Sequence, residues 1–312
     1  MVSTVFLFPG QGSQSKGMLD AFAGEAVVLR TLEEASDALS YDIGALIRDD
    51  AEEKLGQTEF TQPALLTAST ALLRLWQQAG GVKPDHVAGH SLGEYSALVA
   101  ADALGFSDAV QLVAFRGKMM TEAVPAGLGS MAAILGLTDE QIENLCIQAS
   151  RGEEKVWAAN YNCPGQLVVA GHAPAVERLM KLSTEAGARR ALPLPVSAPS
   201  HTLLMQKAAD AMQERLKDIN LSKPVCPVWS NASAAPLESL SEIRAALVAQ
   251  LTSPVRWTET VQRLRRSGVS RGVEMGPGKV LSGLCKRIER EITIANIATP
   301  EQLHDCATAF NS

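Results

Sequence analysis

The chain of 312 residues is 46% apolar and 20% charged, enough to bury one large core or two moderate ones. Its 28 Lys and Arg against 34 Asp and Glu leave a net charge of −6, which argues against nucleic-acid binding through the overall field and confines any acidic partner to a local basic patch. No apolar run approaches the roughly 20 residues of a membrane span, and Met1-Val2-Ser3-Thr4 lacks the basic flank of a secretory signal, so a cytoplasmic protein without membrane contact is expected.

Residues 5–8, Val-Phe-Leu-Phe, read as a short buried strand that opens into the glycine-rich loop Pro9-Gly10-Gln11-Gly12-Ser13-Gln14. Thr61 reads as a helix N-cap with Pro63 in the first turn, and Leu65, Ser69, Leu72, Leu73 and Trp76 place one face of that helix in the core. The apolar run His86-Val87-Ala88 leads into Gly89-His90-Ser91-Leu92-Gly93, a Gly-x-Ser-x-Gly pattern followed by the helix-like residues 94–101. A serine on such a tight strand-to-helix turn is a nucleophile elbow: the glycines clear space, and the first N–H groups of the helix point at the centre where negative charge would develop. Ser91 is therefore the candidate for covalent catalysis.

From 127 to 197 the pattern becomes self-contained. A strand at 131–135, a helix at 138–150, strands near 156–159 and at 166–170, a helix at 174–186 and a strand at 191–194 follow in the order β-α-β-β-α-β. That is the ferredoxin-like order, four antiparallel strands with both helices on one face. Because it interrupts a larger alternating pattern, it is expected to be an insertion that walls one side of a cleft. Strand-like runs at 226–229, 272–275 and 292–295 resume the larger pattern, which favours a mostly parallel sheet covered by helices. The predicted organisation is thus a large α/β domain built from 1–126 and 198–312, with the small domain 127–197 inserted; the tail from about Thr299 carries little signal.

A serine hydroxyl needs a base. Among five histidines, His90 adjoins the nucleophile and should point away from it, His86 precedes the elbow, and His172 lies in the inserted module. His304 sits where a hydrolase would carry its base, and His201, in Pro199-Ser200-His201 at the exit from the insertion, sits where the cleft should be. The five cysteines, Cys146, Cys163, Cys226, Cys285 and Cys306, have no metal-ligand spacing, and neither a metal site nor a disulfide is expected.

Taken together, Phe8-Pro9-Gly10-Gln11-Gly12-Ser13-Gln14, Thr61-Gln62-Pro63-Ala64, Gly89-His90-Ser91-Leu92-Gly93-Glu94-Tyr95, Arg116-Gly117, Asn160-Tyr161-Asn162 with Pro164-Gly165-Gln166, Pro199-Ser200-His201 and Gly276-Pro277-Gly278-Lys279-Val280-Leu281 resemble, in order and over nearly the whole length, the malonyl-CoA:acyl carrier protein transacylases of bacterial type II fatty acid synthesis. The resemblance implies an α/β-hydrolase-like large domain beside the ferredoxin-like one. It implies Ser91 as acylated nucleophile, His201 as general base, the main-chain carbonyl of Gln250 as the group orienting that histidine, and the N–H groups of Leu92 and Gln11 as oxyanion donors. Arg116 would pair with the free carboxylate of a malonyl group, its planar fork matching a carboxylate bidentately, and Asn162 would touch substrate from the inserted side. Malonyl-CoA is then a substrate, no cofactor is needed, and an acyl carrier protein is the partner, met by Arg189, Arg190, Lys286 and Arg287. The competing readings are a serine esterase or thioesterase, a non-catalytic carrier-docking module, and the acyltransferase subunit of a polyketide or malonate decarboxylase system. Neither Gly10-x-Gly12 nor Gly276-Pro277-Gly278-Lys279, which is followed by Val280, completes a nucleotide-binding motif.

Overall fold

A computed structural model of the chain describes residues 3–196 and 198–311; Ser197, the last residue assigned to the insertion, and the terminal Met1, Val2 and Ser312 lie outside the described residues. In chain order the strands are β1 Ser3–Phe8, β2 His86–Gly89, β3 Gly129–Leu135, β4 Val156–Cys163, β5 Gln166–His172, β6 Arg190–Pro193, β7 Val228–Trp229, β8 Pro236–Leu237, β9 Val269–Glu274 and β10 Thr293–Asn296. They form two sheets. The larger runs β10-β9-β1-β2-β7-β8, parallel throughout except for the β7–β8 hairpin, and the smaller runs β4-β5-β3-β6, antiparallel at every pairing.

The central strand β1 is buried over Val5 to Phe8, as a strand covered on both faces must be. Helix Thr58–Gln78 packs beneath it, and Phe6 meets Trp76 edge to face at 5.6 Å between centroids. That helix corrects the sequence expectation in two ways. It begins a turn earlier than Thr61, after Gln57, and the Thr61 hydroxyl instead folds back onto the carbonyls of Leu55 and Gln57 at 2.6 and 3.0 Å. Pro63 therefore falls inside the helix, where its missing N–H forfeits the bond to the Glu59 carbonyl. Residues 61–73 are also buried on every face rather than along one stripe, because the helices Ala26–Leu39 and Phe106–Ala123 cover what the sheet does not. The tail is likewise ordered into a helix, Pro300–Asn311, which buries Leu303 and Ala307 and sets Phe310 against Trp76.

In β3 and β5 of the small sheet the side chains alternate with a period of two, whereas the register of β4 shifts between Ala158 and Asn160 and again between Tyr161 and Cys163. Ala132, Ile134, Leu167 and Val169 face the helices Asp139–Ala149 and Ala173–Glu185, packing on Ile142, Leu145, Val176 and Leu179. Met131 and Val168 face the other way, toward the large sheet. The first helix starts on a full capping box, Thr138 with Gln141. A short backbone seam joins the units: Val255 N–H donates to Ala159 and Tyr161 N–H to Val255, at 2.8 and 2.9 Å. No helix among the described residues is long and apolar enough to cross a membrane.

At the carboxyl ends of β1 and β2 the two loops touch, with His90 N–H donating to the Phe8 carbonyl at 3.0 Å. The contact leaves no room for side chains: a Cβ on Gly93 would lie 2.0 Å from the Phe8 carbonyl oxygen, and one on Gly89 would lie 1.9 Å from the Gly93 carbonyl. Both obstacles are backbone and cannot rotate away. Gly93→Ala should therefore destabilise the protein by about 3 kcal/mol or more, the upper range for overpacking, read as a lowered denaturation midpoint; a change under about 1 kcal/mol would show that the crossing is looser than described.

Candidate active site

The strand β2 delivers Ser91 in a left-handed backbone conformation, φ 53°, immediately before helix Gly93–Ala100. This is a position that costs a non-glycine residue energy and persists only where its surroundings enforce it. The enforcing group is Asn231, just past β7. Its Oδ1 accepts the Ser91 N–H at 2.8 Å, and its Nδ2 donates to the Gly89 carbonyl at 2.7 Å and to Glu94 Oε2 at 2.5 Å.

Ser91 Oγ and His201 Nε2 stand 2.9 Å apart, and His201 Nδ1–H donates to the Gln250 carbonyl at 2.8 Å. With Nδ1 carrying the proton, Nε2 is free to accept one from the serine. Gln250 lies in the last turn of helix Leu240–Thr252, where carbonyls have no partner within the helix, so its oxygen is available. Burial, with Arg116 nearby, pushes the imidazole down to about 3, against the opposing pull of the Gln250 carbonyl. The histidine is neutral at physiological pH and so can act as a base.

Gln11, after β1, and Leu92, after the nucleophile, line the same cavity of about 310 Å³, and neither backbone N–H has an acceptor among the described residues. Arg116, from helix Phe106–Ala123, is 1% exposed. Its Nη1 donates to Gln62 Oε1 at 2.8 Å, and its Nη2 donates to Gln250 Oε1 at 2.8 Å and to Ser91 Oγ at 3.3 Å. Asn162, on β4, lines the cavity from the small sheet and accepts from His90 Nε2 at 2.8 Å. Ser91, His201, Gln11, Leu92, Arg116 and Asn162 thus border one cavity, and Gln250 bonds to His201 and Arg116 from behind it. Of the other histidines, His90 borders the cavity with its Nε2 committed to Asn162, while His86 packs on Trp229, His172 caps the Lys155 strand end and His304 is exposed on the last helix.

Three contributors had no role assigned from sequence: Gln62, Glu94 and Asn231. Glu94 is fully buried, and its Oε2 accepts from Asn231 and, at 2.7 Å, from Gln250 Nε2, while Oε1 has no partner. A carboxylate inside the apolar run 94–101 was a visible signal; Asn231, 140 residues from the turn it braces, offered none. The assembled groups can carry out nucleophilic acyl transfer: an activated hydroxyl, a neutral base, paired N–H donors and a buried cation for an anionic acyl group.

Burial raises the Glu94 carboxyl from its ordinary 4.5 to about 7, with the amide donors of Gln250 and Asn231 pulling the other way. Across that window the folded protein holds a proton that the unfolded chain has released, so this group's contribution to stability falls as pH rises. Glu94→Gln removes the titration. The variant should gain on the parent protein by on the order of 2–3 kcal/mol between pH 4.5 and pH 8, measured by denaturant unfolding at both; a pH-independent difference would contradict the assigned shift.

Comparison with known proteins gives the chain a family. Residues 5–300 match the family model for the acyl transferase domain. The chain is 50% identical over 304 residues to the malonyl CoA-acyl carrier protein transacylase of Escherichia coli (strain K12), covering 97% of this chain and 98% of that protein. Among solved structures, the malonyl CoA-acyl carrier protein transacylase of Coxiella burnetii superposes with a TM-score of 0.97 at 44% identity, over 100% of this chain and 98% of its own. A malonyl-transacylase in complex with a type II PKS acyl-carrier protein superposes with a TM-score of 0.96 at 47% identity, over 98% and 99%. The chain belongs to the acyl transferase domain family.

Proposed function

We propose that this chain is a cytoplasmic malonyl-CoA:acyl carrier protein S-malonyltransferase, moving a malonyl group from coenzyme A to the phosphopantetheine thiol of an acyl carrier protein for fatty acid synthesis through an acyl-Ser91 intermediate. The observation that carries the reading is the opening of the Ser91–His201–Gln250 relay and the buried guanidinium of Arg116 into one cavity. A simple esterase pocket has no need of such a cation.

In the first half-reaction His201 Nε2 takes the Ser91 proton as Oγ attacks the thioester carbonyl. The oxyanion is met by the N–H groups of Gln11 and Leu92, the C–S bond breaks, and His201 returns the proton to the leaving thiolate. In the second half-reaction His201 takes a proton from the incoming pantetheine thiol, the thiolate attacks the ester, and the serine oxygen leaves and is reprotonated. Atoms and protons balance without a cofactor. A carbonyl orients His201 as a carboxylate would but stabilises its cation less, which suits a reaction whose two halves run in opposite directions. Arg116 holds the malonyl carboxylate and Asn162 borders the acyl chain from the small sheet.

The small unit is read as ferredoxin-like, its order β4-β5-β3-β6 being that fold's, and the large unit, 1–126 with 198–312, as α/β-hydrolase-like around its nucleophile elbow. For the carrier protein, Arg189, Arg190 and Lys286 are exposed cations available to an acidic surface; Arg287 is exposed but partly engaged, donating to Gln166 Oε1 at 2.6 Å.

Ser91→Ala removes only the hydroxyl. Intact-mass analysis after incubation with malonyl-CoA should find a stoichiometric malonyl adduct on the parent protein and none on the variant; a full adduct on the variant would remove Ser91 from the mechanism.

A further inference from the structure

The partners of Arg116 are unusual for a buried cation. Among the described residues it forms no ion pair. Its guanidinium is gripped instead by two side-chain amide oxygens, Gln62 Oε1 on Nη1 and Gln250 Oε1 on Nη2, both at 2.8 Å and both from residues 1% exposed. The Tyr95 ring lies 5.5 Å from its Cζ. A buried carboxylate is close by, but Gln250 stands between: its Oε1 accepts from Arg116 while its Nε2 donates to Glu94 Oε2 at 2.7 Å. One amide thus separates the guanidinium from the Glu94 carboxyl and bonds to both.

Direct contact between the two would satisfy the guanidinium permanently. An internal carboxylate is always present at the site, whereas a substrate carboxylate must give up its hydration to arrive, so the internal one would win. Amide oxygens orient the same fork without cancelling its charge, and the Nη2 contact with Ser91 Oγ shows the fork turned toward the nucleophile.

We propose that Gln62 and Gln250 determine acyl selectivity by being neutral: they hold Arg116 in place, keep Glu94 off it, and leave its charge for the carboxylate of the incoming acyl group. The inference rests on the reading that Arg116 receives that carboxylate. Gln62 is a positioning residue in this scheme: among the described residues its side chain hydrogen-bonds only to Arg116 and, through Nε2, to Met120 Sδ at 3.5 Å.

The test measures kcat and KM for malonyl-CoA and acetyl-CoA, with a small pantetheine thiol as acceptor, on the parent protein and on Arg116→Ala, Gln62→Glu and Gln62→Leu, each checked for native circular dichroism. Arg116→Ala should lower the malonyl-to-acetyl ratio of kcat/KM by about a hundredfold to a few thousandfold. Gln62→Glu should lower that ratio at least about tenfold, mainly by raising KM for malonyl-CoA, whereas the uncharged Gln62→Leu should keep it within about threefold. If Gln62→Glu does not fold, Gln250→Glu brings the same charge to the opposite side of the guanidinium and should shift the ratio in the same direction. An unchanged ratio in Arg116→Ala overturns the underlying reading of Arg116. A lowered ratio there with a parental ratio in the glutamate variant, or equal losses in Gln62→Glu and Gln62→Leu, overturns the neutrality proposal alone.

Discussion

The left-handed backbone at Ser91 is the constraint on which the rest of this structure depends. Such a conformation costs a non-glycine residue about 1–3 kcal/mol, and here it is held from three directions. Below it, the crossing of the β1 and β2 loops admits only glycine at 89 and 93. Behind it, Asn231 closes a bridge from the Ser91 N–H to the Gly89 carbonyl, and Gln250 Nε2 donates to the Ser91 carbonyl at 2.9 Å. The turn is thus bonded on its amide and its carbonyl alike, leaving the hydroxyl as its free end, and that end meets His201. His201 itself has φ 63°, so both halves of the dyad sit on strained backbone held by the surrounding fold.

Charge placement in the cavity follows from burial. Arg116, His201 and Glu94 are each almost wholly buried within one network, and each has been pushed by desolvation toward its neutral form. For His201 that direction suits the proposed mechanism, in which a neutral imidazole accepts the serine proton. For Arg116 the intrinsic basicity of guanidinium keeps the charge regardless, and its amide partners share it without removing it. Gln250 is the common element, with its main-chain oxygen on His201 and its side chain on Arg116, Ser91 and Glu94. The sequence reading drew only on its carbonyl.

What could be read in the chain beforehand was what local chemistry writes locally. Ser91 was legible because an elbow needs glycines at fixed offsets, and the inserted unit because alternation with period two marks each strand. The structure keeps all six of its elements and extends most strands by a residue or more. The start of helix Thr58–Gln78 was misplaced because Thr61 and Pro63 carry the marks of a helix start yet lie within the helix, the hydroxyl having turned back onto the preceding turn. The tail from Thr299 carried no strong periodicity and owes its order to packing of Phe310 on Trp76, a tertiary contact. Asn231 and Gln62 act through partners 140 and 54 residues away, and no spacing rule reaches that far. Their roles come from the fold.

The proposed function turns on transfer rather than hydrolysis, and the cavity proposed for the acyl group is lined in part by the apolar Met120, Met131, Val168, Leu194 and Leu284. The most direct measurement isolates the malonyl-enzyme free of coenzyme A and follows its decay by mass, first in buffer alone and then with a pantetheine thiol added. The adduct should outlast many turnovers in buffer and discharge to the thiol within one turnover time, giving the malonyl thioester. Decay to free malonate at the turnover rate, with or without thiol, would make this protein a hydrolase and contradict the account.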